Sequence, residues 1–337
     1  MYLRNCWYQA GWSEDLTVGQ PLVRTLLDEP ILFWRDGDGV LRALLDMCPH
    51  RFAPLSAGTV ADDKVVCGYH GLAFGRDGQC VHNPHGPVTS AMRVRSFPVI
   101  ERHLAIWIWL GDPEMADPGL LPDLSFIDEC PPSARILGTM PTSCDYRLLS
   151  DNILDLSHAD YLHPSSLGGV MTKAKATMRD EGDRVIARWE AQDADPIPAA
   201  RASIPEGAKA DFWIQVDWHA PALMVLATAT TQAGTPSTSA NEARTLHNMV
   251  PETATSTHYF FCSVRGFLRD DPGFSAYIRE ALLNAFQNED KPMIEAQQRR
   301  IGHRDFWDMK PILLKTDGPA VLARRKLAAM IEREHQV

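Results

Sequence analysis

The chain has no apolar run long enough to cross a bilayer: the longest, Leu104-Ala-Ile-Trp-Ile-Trp-Leu110, falls far short of the roughly 20 residues a membrane helix needs. It also lacks a surplus of basic charge. With 33 Lys and Arg against 43 Asp and Glu, the formal charge is −10, and no Lys/Arg stripe is present to release counterions from a phosphate backbone. Nucleic acid and anionic membrane are therefore not expected as partners. No basic segment followed by an apolar one occupies Met1 to Leu16, and no internal repeat is visible. Cysteine is scarce. The seven residues show no framework spacing, which fits reduced thiols in a reducing compartment, so a soluble cytoplasmic protein is expected.

The remaining composition, 45% hydrophobic and 23% charged, is that of ordinary globular domains, and 337 residues suffice for two of them. Between Leu22 and Leu110 short β-rich runs (31–34, 41–45, 64–66, 79–82 and 104–110) alternate with turn signals such as Asp36-Gly-Asp-Gly39 and Arg76-Asp-Gly78. This predicts a small antiparallel β domain. A Pro-rich stretch through Pro113, Pro118 and Pro122 marks its end, giving expected domains 1–118 and 119–337. In the second, strands are expected over 185–189, 212–218, 223–228, 245–250 and 257–264. Helices are expected over 144–161, 274–301 and 320–334, and long loops over 192–209 and 228–241. Strands combined with a long C-terminal helix predict an α+β sheet that grips a helix.

The most specific pattern is Cys48-Pro-His50 followed by Cys67-Gly-Tyr-His70. Two loops that each supply one thiolate and one imidazole match the needs of a Rieske [2Fe–2S] cluster, in which Cys48 and Cys67 bind one iron and His50 and His70 the other. A structural zinc site is the alternative, but zinc fingers usually pair Cys with Cys and His with His.

An electron carrier needs an acceptor, and Asp151-Asn-Ile-Leu-Asp155-Leu-Ser-His158-Ala-Asp-Tyr-Leu-His163-Pro164 offers two imidazoles five residues apart. On an ideal helix that spacing places them about 140° apart, too far round to share a metal. Pro164 disfavours helical geometry at His163, so the helix is expected to end there and let the second ring swing back. Two His and one carboxylate with open positions describe a non-heme Fe(II) site for dioxygen. The carboxylate is expected from Glu289 or Asp290, beside the helix-interrupting Pro292. Asp155, three residues before His158, is expected on nearly the same helical face, where its carboxylate would orient that ring or bond a cluster imidazole.

Together with Arg4-Asn-Cys-Trp-Tyr8, Cys80-Val-His-Asn-Pro-His-Gly86 and Ile106-Trp-Ile-Trp-Leu-Gly-Asp-Pro113, these motifs make the chain resemble Rieske non-heme iron oxygenases of the vanillate O-demethylase and dicamba monooxygenase type. The resemblance implies that Cys48, His50, Cys67 and His70 hold the cluster, and that His158, His163 and Asp290 hold the mononuclear iron. It implies a homotrimer in which Asp155 bridges His70 of one copy and an iron-binding histidine of the next, with Asn152 near the open iron positions. It further implies a separate flavin and iron–sulfur reductase fed by NADH, and insertion of one atom of O2 into a C–H bond of a small aromatic substrate. Oxidative O-demethylation is the leading expectation, with N-dealkylation or methyl hydroxylation beside it. A cis-dihydroxylating ring dioxygenase and a Rieske electron carrier are the alternatives. His247 aligns with a substrate-carboxylate contact in the family, whereas Leu226 and Ala281 stand where polar or indole groups occur, so a less polar pocket is expected.

Overall fold

The β-rich runs of the first hundred residues become antiparallel strands in a computed structural model that describes residues 1–61 and 63–336. Three small sheets form: Leu22–Leu26 with Glu29–Arg35 and Leu41–Leu45; a meander of Thr59–Ala61, Lys64–Val66, Ala73–Gly75 and Cys80–His82; and Ala105–Trp109 between Trp7–Trp12 and Val99–Arg102. Asp36 closes the turn after Glu29–Arg35 by accepting from the amides of Asp38 and Val40. Leu32, Trp34, Leu44, Leu55, Val65 and Phe74 pack as one apolar cluster, and Cys48 and Cys67 belong to it. The core thus fixes the two thiols before any metal does. Trp7–Trp12 escapes periodicity analysis because all six residues are buried, so nothing alternates.

Two compact units result, Met1–Asp123 and Leu124–Val337. The second is built on a seven-stranded antiparallel sheet in the order Arg135–Thr142, Ser256–Arg265, Glu242–Thr253, Leu223–Gln232, Ala210–His219, Arg184–Ala194 and Lys175–Glu181. Five strands lie where expected, though longer. The two edge strands are additions; Lys175–Glu181 is exposed at every position and carries no alternation to read. Both expected loops shrink, because Ala194 still pairs with Ala210, while Thr228 and Thr230 pair with Ile214 and Phe212. β-branched threonine suits that pleated surface.

The helix expected over 144–161 is broken. Tyr146–Leu154 is α-helical, capped by Asp145, whose carboxylate accepts from the Arg147 amide. Asp155 then turns to φ −130°, ψ 90°, and its side chain caps a 3₁₀ turn, Leu156–His158, by accepting from the Ser157 amide at 3.0 Å. Asp155 and His158 therefore do not share an α-helical face. A short helix, Ala159–Leu162, ends at His163, whose φ −118°, ψ 44° lies outside the α region that Pro164 disfavours.

The long helix begins at Pro272 and runs to Ile301, but its middle, Asn284–Asp290, is a π-helix. Pro292 has no N–H to give, and the Lys291 amide reaches back five residues to the Phe286 carbonyl. Phe286 packs on one face of the sheet, with ring centroids 5.2 Å from Phe261, 5.6 Å from His247 and 5.8 Å from Tyr259. Phe261 in turn lies over Gly138, where a Cβ would fall 2.1 Å from the ring. This is the helix-gripping sheet of an α+β fold. The C-terminal helix, Gly318–His335, is tied to Tyr146–Leu154 by a bidentate pair, Arg324 to Asp151, at 2.7–2.9 Å.

Candidate metal centres

The two cysteine loops of the N-terminal unit are copies of one backbone design. The Cys48 amide donates to the Ala53 carbonyl and the Phe52 amide to the Cys48 carbonyl; likewise Cys67 donates to Leu72 and Gly71 to Cys67. The fifth residue of each loop takes left-handed φ, +59° at Phe52 and +72° at Gly71. Such a turn is costless for glycine and strained for phenylalanine. The sulfurs point into the core, where burial first and the neighbouring Cys67 thiol next raise the Cys48 pKa. The imidazoles point outward: His50 is exposed, His70 is half-buried, and their ring centroids are 4.4 Å apart. His85 contacts the His70 carbonyl at 2.9 Å.

A tetrahedral zinc site would gather four donor atoms around one point. Among the described residues, however, only His158, His163 and Asp290 bring three donor atoms within 4.8 Å of one another. Two inward sulfurs and two outward nitrogens fit a group that spans two metal ions.

The second unit brings its histidines together as the broken helix allows. Their ring centroids lie 5.3 Å apart, and the Asp290 Oδ1 is 3.5 Å from His158 Nε2 and 3.2 Å from His163 Nε2. His158 Nδ1 donates to the Asp155 carbonyl at 2.6 Å, so the backbone of Asp155, rather than its carboxylate, orients this ring. That carboxylate is held by the Ser157 amide and the Thr316 hydroxyl. His163 Nδ1 donates to Glu289 Oε2 at 2.5 Å. Glu289 is thus neither the third donor nor a solvated bystander.

Because carbonyls and carboxylates only accept, both Nδ1 atoms carry hydrogen, so in the neutral rings the lone pairs are those of the Nε2 atoms that face the Asp290 oxygen. Lone pairs and an anion converging this closely call for a cation, and the donor set suits Fe(II). Burial lowers the basicity of His163, and Asp290 followed by Glu289 more than offsets it, so the net shift is upward. The Asn152 amide nitrogen donates to Asp290 Oδ1 at 3.1 Å and lies 3.4 Å from His158 Nε2.

His247 stands on the sheet face that receives Phe286, opposite Met224 and Phe261 in register. Its Nδ1 is 2.5 Å from the Tyr259 hydroxyl, while its buried Nε2 has no hydrogen-bond partner among the described residues. Burial pushes its pKa down to about 3, so the ring is neutral. Tyr259, whose own pKa is raised by burial, keeps its proton; in the tautomer where it donates to Nδ1, Nε2 is left as an N–H donor. Leu226 is half-buried on the same face, paired with Val216 and Thr245, and Ala281 is half-buried on the Pro272–Leu283 helix. Sequence reasoning missed Tyr259, Glu289 as an orienting group, and the Asp151–Arg324 clamp. Each depends on a partner at least twelve residues away.

Known proteins repeat this organisation. Residues 6–98 match the Rieske [2Fe–2S] domain family, and residues 142–333 match the vanillate O-demethylase oxygenase C-terminal domain. The chain is 39% identical to the oxygenase component of dicamba O-demethylase from Stenotrophomonas maltophilia, over 99% of both chains. It is 37% identical to the oxygenase component of chloroacetanilide N-alkylformylase from Rhizorhabdus wittichii, over 99% of this chain and 97% of that one. A vanillate O-demethylase oxygenase subunit from a Pseudomonas species is 34% identical, covering 92% and 96%. The crystal structure of dicamba monooxygenase bound to 3,6-dichlorosalicylic acid superposes with a TM-score of 0.90 at 37% identity, covering 99% of each chain. The loops, the three-donor cluster and these relatives agree: the chain belongs to the Rieske non-heme iron oxygenases of the vanillate and dicamba O-demethylase type.

Proposed function

We propose that Cys48, Cys67, His50 and His70 hold the [2Fe–2S] cluster in the first unit and that His158, His163 and Asp290 hold the mononuclear iron in the second. The substrate is a small aromatic molecule bearing a methyl or alkyl group on a heteroatom. The observation that carries this reading is the convergence of two lone-pair nitrogens and one carboxylate oxygen within 4.8 Å. When bound, these groups supply one-electron storage and dioxygen activation at open coordination positions. For an aryl methyl ether the balance is ArOCH3 + O2 + NADH + H+ giving ArOH + HCHO + H2O + NAD+, with one oxygen atom entering the C–H bond and the hemiacetal then expelling the phenol. N-Dealkylation and methyl hydroxylation begin with the same C–H step. Electrons come from NADH through a separate flavin or ferredoxin-type reductase in the cytoplasm.

The chain's own residues position and select. The Asp155 carbonyl fixes one imidazole, and Asn152 steadies the Asp290 carboxylate. His247 offers a neutral Nε2–H to a carboxylate or other oxygen acceptor on the substrate, while Leu226 and Ala281 supply apolar wall. In a homotrimer, the Asp155 carboxylate would meet a cluster histidine of a neighbouring copy. A screen of methoxylated, N-alkylated and methylated benzoates against their uncharged counterparts tests the reading. The expected result is one formaldehyde per phenol or amine released, with acidic substrates preferred. A cis-diol product would overturn it.

A further inference from the structure

Glu289 and Asp290 are neighbours in sequence, and on an α-helix neighbouring side chains diverge by about 100°. Here both reach the same imidazole, Glu289 at Nδ1 (2.5 Å) and Asp290 at Nε2 (3.2 Å). Both residues lie in the π-helical segment, whose wider turn advances each residue by a smaller angle and sets positions five apart side by side. Asn284 accordingly donates from Nδ2 to Glu289 Oε1 at 3.1 Å, and Asn288 donates to Asn284 Oδ1 at 3.0 Å. One Glu289 oxygen is therefore held by the helix itself while the other accepts from His163.

We infer that Glu289, braced by Asn284, is a positioning residue for the mononuclear iron, and that the π turn serves to bring an orienting carboxylate and a ligating one to the two nitrogens of His163. This rests on the assignment of His158, His163 and Asp290 as iron ligands. A carboxylate on Nδ1–H keeps the Nε2 lone pair aimed at the metal, strengthens the imidazole as a donor and removes its rotational freedom. Loss of such a partner typically weakens metal binding about 10–100-fold.

The test is iron retention by the full-length holoprotein challenged with a ferrous chelator, alongside circular dichroism to verify the helices and visible absorbance to verify the cluster. Glu289→Ala and Glu289→Met should both lose the mononuclear iron about 10–100-fold more readily than the wild type. Glu289→Gln, which keeps shape and a neutral acceptor, should fall between, and Asn284→Ala should show a smaller loss. Wild-type retention in Glu289→Met would mean that the side chain only fills space, and wild-type retention in Glu289→Ala would mean that it does nothing for the metal; either overturns the inference. His163→Ala separates the two readings. If it loses its third iron while the Glu289 variants hold theirs, only the inference fails; if it keeps that iron, the ligand assignment fails.

Discussion

A histidine presents whichever nitrogen its other nitrogen leaves free, and three rings of this chain are set that way. His158 is fixed by a backbone carbonyl, His163 by a carboxylate and His247 by a phenol. In the neutral rings the first two leave Nε2 lone pairs, and a phenol that donates to Nδ1 leaves the third an Nε2–H. Tyr259→Phe leaves the buried Nδ1 of His247 unpaired and frees the ring to change tautomer, an effect of about 1–3 kcal/mol on its donor role. The expected outcome is a raised KM for substrates carrying an oxygen acceptor, with kcat little changed and no effect on substrates lacking one. Steady-state kinetics on a matched pair of substrates measures this. The pH dependence has a definite sign. With a folded pKa near 3, His247 gains a proton only well below neutrality, so it contributes no change in KM between about pH 6 and 8. A KM that improved on acidification around an ordinary histidine pKa of about 6.5 would show a cationic anchor instead.

The sheet and the long helix meet through aromatic rings, with Phe286 over Phe261 and Phe261 over Gly138. Gly138→Ala forces that ring aside, so destabilisation of about 1–3 kcal/mol is expected. A lower midpoint for thermal loss of the catalytic unit's circular dichroism checks it, and an unchanged midpoint would mean the ring is free to move. At this scale the sequence was legible wherever the signal was local. Both cysteine loops close within six residues, Pro164 announces the end of the helix at His163, and Pro292 marks irregularity beside Asp290. It was illegible where burial was uniform, as in Trp7–Trp12 and Lys175–Glu181. Asp155 misled because its three-residue spacing to His158 reads as one continuous helical face, whereas it stands here as a cap between two helical segments. Residue types alone left Glu289 and Asp290 open, and their different faces on His163 come from a π turn that no periodicity in the sequence declares.

For the whole molecule the two units divide the chemistry: one stores an electron behind outward imidazoles, the other gathers donors between a broken helix and a π turn. The Asp155 carboxylate, held only by Ser157 and Thr316 among the described residues, is the group we propose for electron transfer between copies, while its carbonyl holds His158. Asp155→Asn should keep every metal yet slow reoxidation of the reduced cluster in single-turnover stopped-flow experiments; wild-type rates would remove Asp155 from the electron path. The most direct test of the whole account is the count of iron and acid-labile sulfide in the wild type and in His158→Ala. It predicts three irons and two sulfides per wild-type chain, falling to two and two in the variant with the cluster absorbance retained and turnover abolished. Two irons in the wild type, or a third iron that survives in His158→Ala, would contradict it.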